Sequence, residues 1–373
     1  MKLSCLQENL ARGLSIVGRA VPSRTTMPVL SNVLLETDHG QLKLAATNLE
    51  LSIVHWVGAR VETEGAITVP ARNFIDLMNS LPPDQVSMDM DEATLSLAVR
   101  CGTVTATFRG ISSDEFPMVP SPEDGDGLLV EAADLRQGLE QVTFAASTDE
   151  SHAVLTGVLA EFEGETLKLV SADGFRLSLR HVPLVHPVPH PFTVIVPARA
   201  LSELMRILGG QEEPVEISTT RTHNQILFRL TDTVLNSQLI DGNFPDYRRI
   251  IPQSQKTRVV LGREEWLQAC KRAAIFARDV ANIVRLQIEP GELVVSAASA
   301  ESGEGATRLT ASVDGEPLEI AFNVRFLIDV LSALDVPQVA LELNAATNPG
   351  VIKAVGDEAA FIHVVMPMHL GGR

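Results

Sequence analysis

Three arginines recur at one spacing. Arg72 in VPARNFIDLMNSLP (Val69 to Pro82), Arg199 in VPARALSELMRILGG (Val196 to Gly210) and Arg325 in FNVRFLIDVLSALDVP are separated by 127 and then 126 residues. Each stands just inside the start of a segment whose apolar positions keep a helical rhythm. The N-terminus of a helix carries about half a positive charge and presents unpaired N–H groups, so an arginine there opposes the dipole unless something anionic is near. The matching chemistry is non-covalent capture of an anion, phosphate above all. One such arginine reads as a solubilising surface group. Three in register predict a repeated, anion-facing element.

Other chemistry finds little support. There is no GxxxxGK[ST] loop, HExxH, GxSxG or Cys/His cluster at metal spacing. His186 and His190 in HPVPHP lack a third ligand and sit in what reads as an extended proline-rich connector. The acidic run Asp89 to Glu92 reads as strand and hairpin turn rather than as a Mg²⁺ site. Cys5, Cys101 and Cys270 are far apart and odd in number, which predicts reduced structural thiols. The expectation is no metal, no cofactor and no catalysis, with a scaffold that binds only protein as the rival to one that holds a polyanion.

The elements that position these arginines are themselves repeated. VLSNVLLETDHGQLKLAATN from Val29 matches VLTGVLAEFEGETLKLVSAD from Val154 at an offset of 125, and DEFPMVP answers GNFPDYRRIIP, with Phe116 and Phe244 128 apart. Three registers agree in order, which predicts three domains of about 125 residues: 1–125, 126–254 and 255–373. Each unit reads as α+β. Helical segments at 5–24, 70–81, 133–146, 198–208, 262–279 and 323–334 alternate with strand runs such as LKLAATN and LSLAVR, two helices to a unit against antiparallel sheet. Polar, turn-rich SPEDGDG (121–127) and PQSQKT (252–257) mark the junctions. No apolar run reaches the ~18 residues of a membrane span and no signal-peptide core is present, which predicts a cytoplasmic protein.

Charge narrows the function. The formal net charge of the chain is −17, a poor basis for tight free-surface binding of nucleic acid, whose affinity comes largely from phosphate neutralisation. The six helical segments hold 12 basic and 9 acidic residues, whereas the remainder holds 18 and 38. Nucleic acid is therefore best held by enclosure, the helices lining a hole and the acidic shell facing out. Helices side by side need ~10 Å each, so six enclose a hole of only ~9 Å and twelve one of ~28 Å. A DNA duplex is about 20 Å across. Two chains suffice, and closed two-fold assemblies are the commonest oligomers.

The strings SADGFRLSLR (171–180), LIDGNFPDYRRIIP (239–252), the VPAR helix starts and the C-terminal VVMPMHL (364–370) resemble the bacterial DNA polymerase III beta subunit family, the sliding clamps, over essentially the whole chain. The resemblance implies three repeated DNA-clamp (processivity-fold) domains in a head-to-tail, ring-shaped homodimer, with helices lining the bore and antiparallel sheets outside. Such a ring encircles double-stranded DNA without reading sequence. It tethers DNA polymerase subunits and repair proteins through short apolar peptides, is opened by an ATP-driven clamp loader and catalyses nothing itself. By position, Arg24, Arg72, Arg199 and Arg325 would face DNA. Ring closure would use Thr103, Thr105, Thr107, Phe108 and Arg109 against Ile275 and Phe276 of the other chain. The partner-peptide pocket would comprise Leu155, Gly174, Phe175, Arg176, Leu177, Pro245, Arg249, Ile250, Val364, Val365, Met366, Pro367, Met368 and Leu370.

Residue chemistry supports that pocket separately. Chain ends are usually polar and frayed, whereas VVMPMHL is apolar, and methionines flanking a proline make an adaptable surface. Phe361 to Val365 reads as the strand closing the third sheet, and Met366 onward as pocket wall. Tyr247 is expected to brace the linker, and Asp173 with Gly174 to form a turn. His369, Asp149 and Gly371 to Arg373 depart from the family pattern: the first stands where arginine is common, the second where an uncharged polar DNA contact is expected, and the last three extend past the usual end.

Overall fold

The computed structural model describes residues 1–120, 127–220, 222 and 224–369. Residues 121–126 of the first junction, Leu370 and Gly371 to Arg373 therefore lie outside the described residues. Among those described, six α-helices form: α1 Gln7–Val17, α2 Ala71–Ser80, α3 Ala132–Val142, α4 Ala198–Ile207, α5 Arg263–Ala277 and α6 Val324–Ala333. Five fall within segments anticipated from sequence, and α3 starts one residue ahead of its segment, 133–146. None is long and apolar enough to cross a membrane.

Each helix starts where a strand ends, so the repeated unit is strand-into-helix, used twice per repeat. Ala66–Pro70 leads into α2, Phe192–Pro197 into α4 and Leu318–Asn323 into α6. Pro70 is the last residue before α2, at φ −54° and ψ 109°, rather than the first helical residue as the sequence pattern suggests. Its ring fixes φ and thereby the angle at which the chain enters the helix. The third copy replaces proline with Asn323, whose Oδ1 accepts the Arg325 N–H at 3.0 Å, a side-chain cap worth about 1 kcal/mol. The degenerate copy thus keeps its helix start by a different device.

The helices press one face onto sheet. Leu10, Leu14 and Val17 of α1 are fully buried, each contributing about 1.5–3 kcal/mol by burial. A Cβ on Gly13 would sit 2.7 Å from the His55 ring and 2.9 Å from Leu44, so the helix axis can approach the sheet only because Gly13 has no side chain.

The chain separates into two compact units, Met1–Ala132 with Glu203–Leu239, and Ala133–Ser202 with Ile240–Arg373. The first carries a twelve-stranded antiparallel sheet. In it the second repeat's strand Thr233–Gln238 pairs with the first repeat's Leu51–Thr63, Val234 opposite Val54. The second carries a nine-stranded sheet and a separate four-stranded one. In the larger, Phe361–Val365 pairs on one side with Gly350–Ala354 and on the other with Arg176–Pro183, Leu177 opposite Val364. The reading of Phe361 to Val365 as simply closing a third sheet is thereby corrected. An edge strand left open would expose a row of N–H and C=O groups, and the neighbouring repeat's edge satisfies them.

Candidate functional site

Within the second unit, the proposed pocket residues divide into floor, lip and tie. Leu177 and Val364 are both 1% exposed and belong to one apolar cluster with Leu179 and Tyr247, against which Val154, Phe244 and Ile251 pack. These are the floor. The tail that follows Val365 is fixed by two backbone bonds: the Met366 N–H donates to the Phe175 carbonyl and the Met368 N–H to the Ala321 carbonyl, each at 2.8 Å. Phe175, Ile250 and Met366 remain exposed. Asp173 Oδ1 accepts the N–H groups of Phe175 and Arg176 at 2.9 and 3.0 Å, and Gly174 turns the chain at φ +91°, a conformation glycine adopts without strain.

The linker forms the lip. Tyr247 is buried, and its hydroxyl donates to Glu161 Oε2 at 2.7 Å while Arg248 reaches Oε1 at 2.7 Å and covers the Tyr247 ring. Burial, and then the Glu161 carboxylate, push the Tyr247 pKa well above the usual phenol value. Pro245, Arg249 and Ile250 are exposed on the adjoining turn, Arg249 held only by its own Asp246 at 2.9 Å. Leu155 is half-buried at the start of the repeat.

Two residues of the expected pocket are differently employed. The Arg176 side chain is only 10% exposed, its guanidinium bonded to Asp173 at 2.9 Å, to Asp329 at 2.5 Å and to the Phe144 carbonyl at 2.7 Å, and lying against the Phe326 ring. It ties the pocket's frame together rather than offering a free fork. Val365 is buried in the cluster of the third repeat and faces away from the floor. Leu370 lies outside the described residues.

Beneath the floor, His363 is fully buried with Nδ1 2.6 Å from Ser178 Oγ. Burial, aided by the Arg176 charge, lowers its pKa to about 3. The unfolded chain takes up this proton below its ordinary ~6.5, and the folded chain does so only near 3, so stability is complete above pH ~6.5 and falls by about 1.4 kcal/mol for each pH unit below it. Urea midpoints are expected to drop on acidification from pH 6.5 to 4.5. The drop should be shallower in His363→Gln, weaker though that variant is at neutral pH; equal slopes would refute this assignment. The comparison isolates His363 from His55, whose pKa burial also lowers.

Two sheet edges stand open. Val104–Arg109 ends the twelve-stranded sheet and Gly303–Thr310 ends the four-stranded sheet, each exposed along most of its length. The other terminal strands described are short or mostly covered. Thr105, Thr107 and Arg109 are exposed, Thr103 lies in the preceding turn, and Phe108 stands edge-on to Phe74 at 5.2 Å. In the other unit Ile275 is 58% exposed on α5. Phe276 lies over Gly305, where a Cβ would come within 2.5 Å of its ring, and helps line a cavity of about 180 Å³ beside Arg272 and Val295. The strand Gly303–Thr310 escaped the sequence reading, although its alternating GEGATRLT with two small residues against α5 is the signal that marks it.

Arg24, Arg72, Arg199 and Arg325 are all exposed, and none forms an ion pair with a described residue. Strand and linker arginines such as Arg180, Arg248, Arg258 and Arg308 each hold a carboxylate. No group of three or more His, Cys, Asp or Glu side chains fit to hold a metal occurs among the described residues. Cys5 and Cys270 are buried, which pushes both thiols up to about 12.

Comparison with known proteins decides what these surfaces belong to. Models of the N-terminal, central and C-terminal domains of the DNA polymerase III beta subunit match residues 1–120, 129–246 and 248–369 in turn. The chain belongs to the DNA polymerase III beta subunit family. A beta sliding clamp from Synechococcus elongatus is 37% identical over 376 residues, covering 99% of this chain and all of the relative. Among solved structures, the DNA polymerase sliding clamp of Bacillus subtilis superposes with a TM-score of 0.93 at 28% identity, covering 99% of both chains. A sliding clamp from Pseudomonas aeruginosa bound to griselimycin gives 0.93 at 32% identity, covering 99% of this chain and 100% of that one. The fold is the three-domain clamp fold, and the family supplies a processivity factor rather than a catalyst.

Of the departures from the beta subunit pattern, Asp149 is spent locally. Its Oδ1 accepts the Ser151 N–H at 2.9 Å, a bond that holds its carboxyl below the usual range, and His152 lies 3.8 Å from it. His369 is exposed beyond Met368.

Proposed function

We propose that two copies of this chain close head to tail into a ring around duplex DNA, keeping polymerases on their template. The observation that carries this reading is the pair of unlike open edges. A surface that pairs with a copy of itself makes a two-fold contact, whereas an edge that pairs with a different edge of the next copy makes a chain that must close or grow. The edge Val104–Arg109 carries Arg109 and has Arg100 opposite Thr105 on the neighbouring strand, and Gly303–Thr310 carries Glu304 and follows Glu301, with no ion pair among the described residues for any of the four, while Arg308 of the second edge is paired with Glu292. The signs are complementary. Ile275 and Phe276 would meet Phe108 at that contact, with Thr103, Thr105, Thr107 and Arg109 along the strand.

Three clamp domains, 1–125, 126–254 and 255–373, would then supply twelve helices to the bore. Arg24, Arg72, Arg199 and Arg325 would face the phosphates, loosely enough to slide. The pocket of Leu177, Val364, Met366 and Met368, lipped by Pro245, Arg249 and Ile250, would take short apolar peptides of polymerase and repair partners in the cytoplasm. The same pocket would take griselimycin, which the Pseudomonas aeruginosa relative binds. Opening the ring falls to an ATP-driven loader, since no nucleotide-binding motif occurs in the sequence.

The test is retention on nicked circular DNA after loading, at moderate salt, before and after cutting the circle. Near-complete loss on linearisation is expected for a topological link. Retention on both forms would mean binding by contact and would remove the ring.

A further inference from the structure

The repeat that builds the partner pocket also builds its counterpart at the first junction, within the first unit. Asn48 Oδ1 accepts the N–H groups of Glu50 and Leu51 at 3.0 and 2.7 Å, as Asp173 does for Phe175 and Arg176. The Gln238 N–H donates to the Glu50 carbonyl at 2.7 Å, as Met366 does to Phe175. Ser52 stands opposite Asn236 where Leu177 stands opposite Val364. Phe116 and Val119 pack with Val29, Leu30 and Val54, as Phe244 and Tyr247 pack with Val154 and Leu179.

The frame is shared and the chemistry is not. Leu49 occupies the place of Gly174 at φ +77°, a left-handed conformation that a branched side chain adopts at a cost, and its side chain is 48% exposed. Met118 on the junction is 96% exposed, and Met27, just ahead of Val29, is 43% exposed. The floor is polar. Asn236 is 4% exposed and gives its Nδ2 to Gln225, while its Oδ1 has no donor among the described residues. The register puts it on the face of Val54, toward this junction. A buried carbonyl oxygen on this face suits a ligand that brings an N–H. Around it, Glu50, Asp114 and Glu115 are exposed and form no ion pair with a described residue; their counterparts at the other junction are Phe175, Gly242 and Asn243.

We propose that the first repeat junction is a second docking site, for a short peptide that alternates basic and apolar residues. Leucine-sized side chains would lie on Leu49 and Met118, cationic ones beside Glu50, Asp114 and Glu115, and an N–H donor would reach Asn236 Oδ1. An acidic rim at one junction and an uncharged one at the other keep the two from competing for one ligand, so a ring of the proposed kind can hold two kinds of partner on each chain.

The nine methionines make the test direct, because Met27 and Met118 report on this junction and Met366 and Met368 on the other. Full-length protein carrying ¹³C-methyl methionine is titrated with an acetylated, amidated tetrapeptide of alternating lysine and leucine, then with its glutamate–leucine analogue. Saturable shifts of Met27 and Met118 with the lysine peptide only are expected, weakened at least tenfold by Asp114→Lys with Glu115→Lys, both exposed residues whose change leaves the core alone. Unmoved Met27 and Met118 resonances, or equal response to both peptides, would overturn the proposal. The partner pocket is read separately in the same spectra: silence of Met366 and Met368 toward an apolar peptide would count against that pocket and not against this junction.

Discussion

Ile275→Asp is expected to leave the chain folded and to abolish the dimer at micromolar concentration. Ile275 is 58% exposed in the single chain, so a carboxylate there meets water and costs the fold little. At a ring-closing contact the same position loses the burial of an isoleucine, about 1.5–3 kcal/mol, and adds a charge that must be stripped of water. A two-subunit head-to-tail ring contains the contact twice, so the loss is at least doubled. That predicts roughly a 10³-fold or greater fall in the association constant at 1.4 kcal/mol per decade. Sedimentation velocity across a concentration series checks it, with thermal melting as the control for folding. A dimer of undiminished stability would remove α5 from the interface and with it the pairing of unlike edges.

Ending the chain after Val365 is expected to weaken binding of a short leucine- and phenylalanine-containing peptide by roughly 100-fold while dimerisation and DNA retention persist. The truncation keeps the whole of strand Phe361–Val365, and with it the register to Arg176–Pro183. It removes the two hydrogen bonds that fix the course of the tail, and with them the side chains of Met366 and Met368. Half-burial of two such side chains by a ligand accounts for about 2–3 kcal/mol, which is the stated factor. Calorimetry with the intact and shortened chains measures it. Unchanged affinity would mean that Leu177, Val364 and the linker lip suffice, and the tail would lose its place in the pocket.

Much of this was legible in the residues because the chain states it more than once. Every helix was locatable from apolar rhythm, and the turn at Asp173 from its own chemistry. What escaped was pairing between repeats. Nothing local in Phe361–Val365 says that its second neighbour is Arg176–Pro183, almost two hundred residues earlier, because an alternating strand specifies a buried face and not a partner. The contacts of Arg176 were hidden for a related reason: the groups that bind its guanidinium, Asp329 and the Phe144 carbonyl, come from elsewhere in the fold. The edge Gly303–Thr310 was missed because exposure along a strand reads as a weak strand unless the sheet that it ends is known.

The stitch between Leu51–Thr63 and Thr233–Gln238 also sets a schedule for synthesis. The earlier strand leaves the ribosome with one side unpaired and waits for a partner about 175 residues downstream. At ~5–20 residues per second that is an interval of roughly 10–35 s in which a nearly complete first repeat shows the cell a bare sheet edge. The nascent chain, rather than the folded protein, is thus the form most exposed to aggregation and most in need of a chaperone.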